Sequence, residues 1–494
     1  MEAGMAEVVV IGAGVGGLAC AARLAAGGHR VTVYERSTVV GGKLGRLVVE
    51  RPEGTYRFDT GPSLLTLPQV FDELFADLGG GAPELVPLDP VVRHVFPDGT
   101  VLDSSADPGV FLDRIDAAFG SDAAADWATL WRRAGRVWTA SWRDILRRPL
   151  DSPAALAGLA WRFGDLAAVA PGMSLRGLGR RHLGDPRLRM LLDRYATYTG
   201  ADPRRAPAAL VAVPYAELSF GGWYLPGGLA TLADALLSRC EALGVSVRTG
   251  AAVTRISAAG GRVNGVRVGS AFVPADVVVS NVDALTLYRD LLPAPRRLGR
   301  LADRSLAGFV VLLGLRGRTP GLAHHTVLFP TDYDAEFDAI FGAPARPAAD
   351  PTVFVTVADD PLVRPEGHEA WFVLVNAPRH GIGPGAVDWD RPGLADAYAD
   401  RVLSVLAARG FDVRDRVLFR EVLTPASLER SAGAPGGAIY GTAGGLLRPA
   451  NRGPVRGLFL VGGSAHPGGG LPMVALSAKI VAESVGPARQ VGTR

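Results

Sequence analysis

The segment EVVVIGAGVGGLACAARLAAGGHRVTVYER, Glu7 to Arg36, constrains the fold of this chain more than any other. Val8 to Ile11 is a short apolar run of the kind that forms a buried strand, and a glycine turn follows it at once. Gly12, Gly14 and Gly17 stand at G-x-G-x-x-G spacing, followed by a helical pattern and a second strand, VTVYE. Each glycine has its own reason: Gly12 allows the tight turn, Gly14 allows a ligand to approach the backbone, and Gly17 allows helix and strand to pack closely. The helix N-terminus offers free N–H groups and positive dipole to an anion. Glu35 ends the second strand about 20 residues past the glycines, where a carboxylate accepts hydrogen bonds from ribose hydroxyls. Strand, glycines, helix, strand and acid in register predict a dinucleotide site in the first βαβ unit of a Rossmann-like α/β domain.

A glycine-rich turn also explains the apolar run Val8 to Ala26 better than a membrane span does, since the run carries several glycines and Arg23. A cytoplasmic protein is expected. The next segment, RSTVVGGKLGR, adds Gly41 and Gly42 with Arg36, Lys43 and Arg46 beside them. A second glycine pair with basic neighbours suits the extended FAD better than NAD. FDTGPSLL, Phe58 to Leu65, then makes a short turn in which Ser63 can hydrogen-bond.

Several classes are disfavoured. The net charge is +3 over 494 residues, with no lysine- and arginine-rich block interleaved with stacking aromatics, so nucleic acid is not an expected partner. Cys20 and Cys240 cannot build a disulfide framework. With no C-x-x-C, no H-E-x-x-H and scattered histidines, no metal site is expected.

The run Gly12 to Arg46 followed by FDTGPSLLTLP resembles the bacterial phytoene desaturase family of FAD-dependent carotenoid desaturases. The likeness continues at YATYTGADPRRAPA (Tyr195 to Ala208), GGWYLPGG (Gly221 to Gly228), SNVDALTLYRDLL (Ser280 to Leu292) and LAHHTVLFP (Leu322 to Pro330). It ends with GLFLVGGSAHPGGGLPMVALSAKIVA, Gly457 to Ala482, which is far more specific than the N-terminal turn. The resemblance implies that the chain returns to the flavin at its C-terminus. GLFLVGG then reads as a buried strand ending at the cofactor. The loop from Gly463 opens a helix at Leu471, Pro472 and Met473, with proline where its missing N–H costs least. A helix N-terminus aimed at the flavin would stabilise the negative charge gathered on reduction. Val253 would pack its backbone on the adenine, and Asn281 ends a further buried strand.

A cofactor shared by both ends of the chain makes its domain discontinuous: residues 1–85, 225–290 and 415–494. Residues 86–224 form a helical substrate region and 291–414 a strand-rich substrate domain. Within the helical region, Trp138, Trp142, Trp161 and Phe163 mix with Arg143, Arg147, Arg148, Arg162, Arg176, Arg180 and Arg181. That composition suits peripheral contact with an anionic membrane surface; an amphipathic helix pair packed on the core is the other reading.

The family implies a long apolar polyene as substrate, held in a channel by buried area. Tyr195, Tyr198, Phe220, Trp223 and Tyr224 are candidates for its wall. Desaturation sends a hydride to the flavin and a proton to a base. Asp144 and Arg147, three apart and so on one face of an α-helix, match the family's Asp-x-x-Arg pair; they can act in catalysis or form a surface ion pair. Glu217, beside aromatic residues, is the other carboxylate. His466 can touch flavin or substrate, or brace its loop. The loop lacks the threonine before the histidine and the alanine among the glycines found in many members. This widens the substrate reading to hydroxylated or shorter carotenoids and to oxygen insertion. Oxygen or a membrane quinone could take the electrons onward, and with no second dinucleotide fingerprint a bound nicotinamide is not expected. Two rivals remain: another flavin oxidase, acting on an amine or porphyrinogen, and a non-enzymatic prenyl-lipid escort protein of the same fold.

Overall fold

A computed structural model describes residues 4–150, 168–443 and 448–488, apart from the side chain of Arg300. At its centre is a five-stranded, all-parallel sheet in the order Leu458–Leu460, Val277–Ser280, Glu7–Ile11, Arg30–Tyr34, Ser246–Arg248. Val8 to Ile11 and Val277 to Ser280 are buried throughout, as strands covered on both faces must be. Helix Val15–Ala26 covers one face and packs beside the last long helix, Leu471–Val485. An antiparallel sheet of Val253–Ala259, Arg262–Val268 and Ala271–Pro274 is inserted before Val277.

The second large sheet has seven strands, in the order Val417–Leu423, Ala307–Arg316, His368–Ala377, Val353–Val357, His325–Leu328, Arg93–Val95, Val101–Asp103. Its membership cuts across the boundaries expected from sequence. Val417–Leu423, placed with the cofactor domain, pairs with Ala307–Arg316, and Arg93–Val95, placed in the helical region, pairs in parallel with His325–Leu328. In both cases the partner lies far away in sequence, and local pattern carries no trace of such pairing.

The helical region includes Pro108–Phe119, Ser121–Ser141, Leu175–His182, Pro186–Arg194 and Ala212–Phe220. Trp138 is buried and stacked on Trp142 with centroids 5.2 Å apart, so it serves the core. The basic residues find acids that the local sequence did not show: Arg176 meets Asp193 at 2.8 Å and also bonds Asp334, and Arg147 reaches Glu73 at 3.3 Å. Trp161, Arg162 and Phe163 lie outside the described residues. Among the described residues no helix is long and apolar enough to cross a membrane.

Candidate active site

Three parallel strands bring head, middle and tail together. Asn281 N donates to Ile11 O at 2.8 Å and Val461 N to Ser280 O at 2.9 Å, so the turns after all three strands open side by side. Gly17 lies so close to the first strand that a Cβ there would stand 2.0 Å from Gly12 O. Asn281 sits among the glycines: a Cβ on Gly14 would be 2.7 Å from its Nδ2, and one on Gly462 2.4 Å from its Oδ1. Gly41 N donates to Ala13 O at 2.9 Å, and Gly42 packs on Gly14. Glu35 accepts from Ala13 N at 2.7 Å and Ser37 N at 2.8 Å, each carboxylate oxygen retaining a lone pair for a further donor. Gly12, Gly14 and Gly42 keep accessible surface between buried strands. The result is a bare-backbone cradle at a helix N-terminus, bordered by a carboxylate, and its donors suit a dinucleotide.

The C-terminal loop completes this face. Gly463 faces Gly469, and Leu471 and Pro472 are buried at the start of the last helix with Met473 half-buried beside them. His466 is buried; its Nε2 donates to the carbonyls of Ile145 at 3.0 Å and Arg148 at 2.9 Å, and burial lowers its pKa, consistent with a neutral ring. These contacts brace the loop against the turn at 142–148.

That turn departs from expectation. Trp142–Leu146 is a π-helix, whose wider winding takes residues three apart off one face. Asp144 therefore pairs with Arg143 at 2.6 Å, while Arg147 turns to Glu73 and the face of Trp142.

Other expected residues divide. Lys43 Nζ donates to Ala438 O at 3.0 Å and Ile439 O at 2.6 Å. Arg46 is held by Asp234 at 2.9 Å and Arg36 by Arg430 O at 2.5 Å, both facing outward. Ser63 is buried on the large sheet, accepting from Thr356 Oγ1 at 3.0 Å. Val253 begins the inserted sheet, near Ala251, whose N–H donates to Glu35 O at 2.8 Å. Among the aromatics, Phe220 faces Trp138 and donation from Trp223 Nε1 to Phe220 O at 2.8 Å joins that group. Tyr224 bonds Asp360 at 2.8 Å, and Tyr195 and Tyr198 gather separately with Glu217.

Sequence reasoning missed a cationic wall. Arg448 Nη1 donates to Tyr440 O at 3.0 Å, and Arg304 pairs with Asp283 at 2.6 Å. Tyr440 covers Gly469, where a Cβ would be 2.6 Å from its ring. Burial pushes Lys43 down to about 8 and Arg448 down to about 10, although both keep accessible surface. A Cβ on Gly468 would stand 3.9 Å from the Arg448 side chain, so positive charge lies beside the C-terminal loop. Only the basic residue after the glycine pair was legible; the others sit in glycine- and proline-rich sequence without periodicity.

His324 packs against Tyr224 with ring centroids 4.7 Å apart and planes tilted by 57°, and burial lowers its pKa from 6.5 to about 4. Below about pH 6.5 the unfolded chain binds a proton here that the folded chain refuses until about pH 4, so His324 erodes stability as pH falls through that window. His324→Phe keeps a ring against Tyr224 and removes the liability. Melting temperature followed from about pH 7 to about pH 4.5 should fall less steeply in the variant; an unchanged slope refutes the assignment.

Residues 15–313 match the family of flavin-containing amine oxidoreductases. The chain belongs to that family. Among its members, a hydroxyneurosporene desaturase of Rhodobacter capsulatus is 35% identical, with 95% of this chain and 96% of the relative covered. A 4,4'-diapolycopene oxygenase of a Methylomonas species is 31% identical, over 97% and 98% of the two chains. A cyclohexylamine oxidase of Brevibacterium oxydans has the same fold at 17% identity, with a TM-score of 0.61 and 97% and 99% of the chains covered. The resemblance to bacterial carotenoid desaturases read from the sequence therefore holds. As a flavin-containing amine oxidoreductase family member, the chain is an oxidoreductase with a flavin cofactor, which the glycine cradle and Glu35 fit.

Proposed function

We propose that this protein is an FAD-dependent carotenoid desaturase, removing a hydride and a proton from adjacent carbons of a phytoene-like polyene. The single observation that carries the reading is the convergence of Gly12–Gly17, Asn281 and the Gly462–Gly470 loop on one edge of the parallel sheet. Relatives matching over nearly the full length, and named for carotenoid chemistry, supply the substrate class. Gly12, Gly14, Gly17, Glu35, Gly42 and Asn281 would hold the dinucleotide, and Gly463 and Leu471–Met473 the ring end. When bound, the flavin accepts the hydride. The chain's own part is to bury the polyene, exclude water and take the proton. Phe220, Trp223 and Tyr224 supply apolar wall, and Asp144, braced next to His466's partners Ile145 and Arg148, is the proton acceptor we assign. Lys43 and Arg448 favour an anionic bound group. Oxygen or a quinone would take the electrons onward.

The test is anaerobic incubation of the yellow protein with phytoene, a hydroxylated carotenoid and a C30 analogue. Loss of flavin absorbance with at least one polyene, and a product with an added double bond, is the expected result; bleaching by none defeats the reading. Asp144→Asn should slow that bleaching by about tenfold or more, and an unchanged rate returns Asp144 to a structural role. The oxygenase among the relatives favours one second reading, oxygenation of the polyene. Isotope from labelled oxygen gas in the product would identify it.

A further inference from the structure

Arg194 ends the helix Pro186–Arg194 in the interior, 6% exposed. Among the described residues no carboxylate lies within ion-pairing distance of it, and its side chain makes one hydrogen bond, from Nη1 to the Tyr198 hydroxyl at 2.9 Å. The guanidinium rests on the faces of Tyr198 and Phe354, at 5.0 and 5.6 Å. Glu217, 2% exposed, accepts from the Tyr195 hydroxyl through Oε1 at 2.8 Å, the Tyr198 hydroxyl also favours its anion, and among the described residues its Oε2 has no partner within hydrogen-bonding distance. The tyrosine rings, 5.3 Å apart, join the two halves. A buried cation and a buried carboxylate thus stand on one cluster without pairing directly.

Direct pairing would satisfy both charges, and a one-sided buried charge is costly. The arrangement makes chemical sense if a third group completes it. Arg194 can only donate, and an ionised Glu217 can only accept. A hydroxyl does both, whereas a ketone or ether oxygen uses only the arginine, an ammonium only the carboxylate, and an unsubstituted hydrocarbon neither. Burial raises the pKa of Glu217 while Arg194 lowers it; ionised, Glu217 accepts from a hydroxyl, and protonated, it donates to the hydroxyl oxygen, so a hydroxyl is served in either state and an unsubstituted hydrocarbon in neither. The cluster is not sealed: Tyr198 keeps accessible surface beside the buried Arg194 and Glu217.

We propose that Arg194, Tyr198 and Glu217 form a subsite for a hydroxyl group on the otherwise apolar substrate, setting a preference for hydroxylated over unsubstituted polyenes. The inference rests on the polyene oxidoreductase reading above and moves Glu217 from proton acceptor to recognition. Sites built to hydrogen-bond a substrate hydroxyl discriminate strongly against analogues lacking it, because their own polar groups are then left unpaired.

The experiment compares a hydroxylated acyclic polyene with its unsubstituted counterpart of equal length and conjugation. Two quantities are read on the flavin-loaded protein: kcat/KM from anaerobic loss of flavin absorbance, and Kd from quenching of tryptophan emission. A preference of about tenfold or more for the hydroxylated polyene is expected in both. Glu217→Leu and Arg194→Met should reduce it below about threefold, chiefly through KM and Kd. If either variant fails to retain flavin, Tyr198→Phe, which removes one hydroxyl, carries the test. Equal use of the two polyenes by the native protein overturns the subsite, as does a preference that survives Tyr198→Phe and Glu217→Leu. Bleaching by neither polyene instead defeats the polyene reading, and the subsite with it.

Discussion

Gly17→Ala should yield a protein that purifies without flavin and is destabilised by about 3 kcal/mol or more. The added methyl would stand 2.0 Å from Gly12 O and 3.2 Å from Asn281 Cβ. The first contact is with backbone in the tight turn itself, which no rotamer change can relieve. To make room, helix Val15–Ala26 must move off strand Glu7–Ile11, and that motion tilts the N-terminus that forms the cradle. Gly299→Ala is the matching control, because a Cβ there meets nothing within 4 Å and the backbone is already helical. It should retain flavin and melt within a degree or two of the parent. Flavin-to-protein absorbance ratio and thermal melting check both. A Gly17→Ala protein that stays yellow with normal melting would show that the helix does not lie as close to the strand as described.

Why this part of the site could be read in advance follows from where its information lies. The strand, turn and helix of Val8–Ala26 are set by neighbours within a few residues, and the helix at Leu471–Val485 is announced by the glycines and proline before it. Their meeting is not local: it requires Val277–Ser280 to intervene between the first and last strands, and the resemblance supplied that step. Side-chain partners were harder to read, because spacing says nothing of winding or of distant contacts. The relation of Asp144 to Arg147 assumed α-helical winding, and the π-turn replaced it with Asp144–Arg143. Arg46 and Arg36, expected beside the cofactor, meet Asp234 and the carbonyl of Arg430, partners far along the chain that local sequence does not announce. Tyr440, Arg448 and Arg194 act through depth, through what they cover, or through having no carboxylate partner among the described residues, and none of these has a sequence period.

Asp283→Asn should cost about 3–5 kcal/mol, because it leaves a buried guanidinium without its countercharge. Arg304 Nη2 meets Asp283 Oδ2 at 2.6 Å with both side chains almost wholly buried, and among the described residues Arg304 Nε and Nη1 have no partner. Asparagine keeps the oxygen that accepts from Leu285 N at 2.9 Å, so the helical turn after Asp283 retains its cap and the loss measures the charge. The effect extends to the cationic wall, since Asp283 supports the protonated forms of both Lys43 and Arg448 while Arg304 opposes them. Removing the carboxylate should lower both pKa values further, and removing the arginine should raise them. Asp283→Asn combined with Arg304→Met should therefore recover much of the stability lost in Asp283→Asn, because the orphaned cation has gone. Urea unfolding of the two single variants and the double variant measures the coupling. Additive losses would mean that the ion pair contributes nothing, and that the positive charge beside the C-terminal loop is held by some other group.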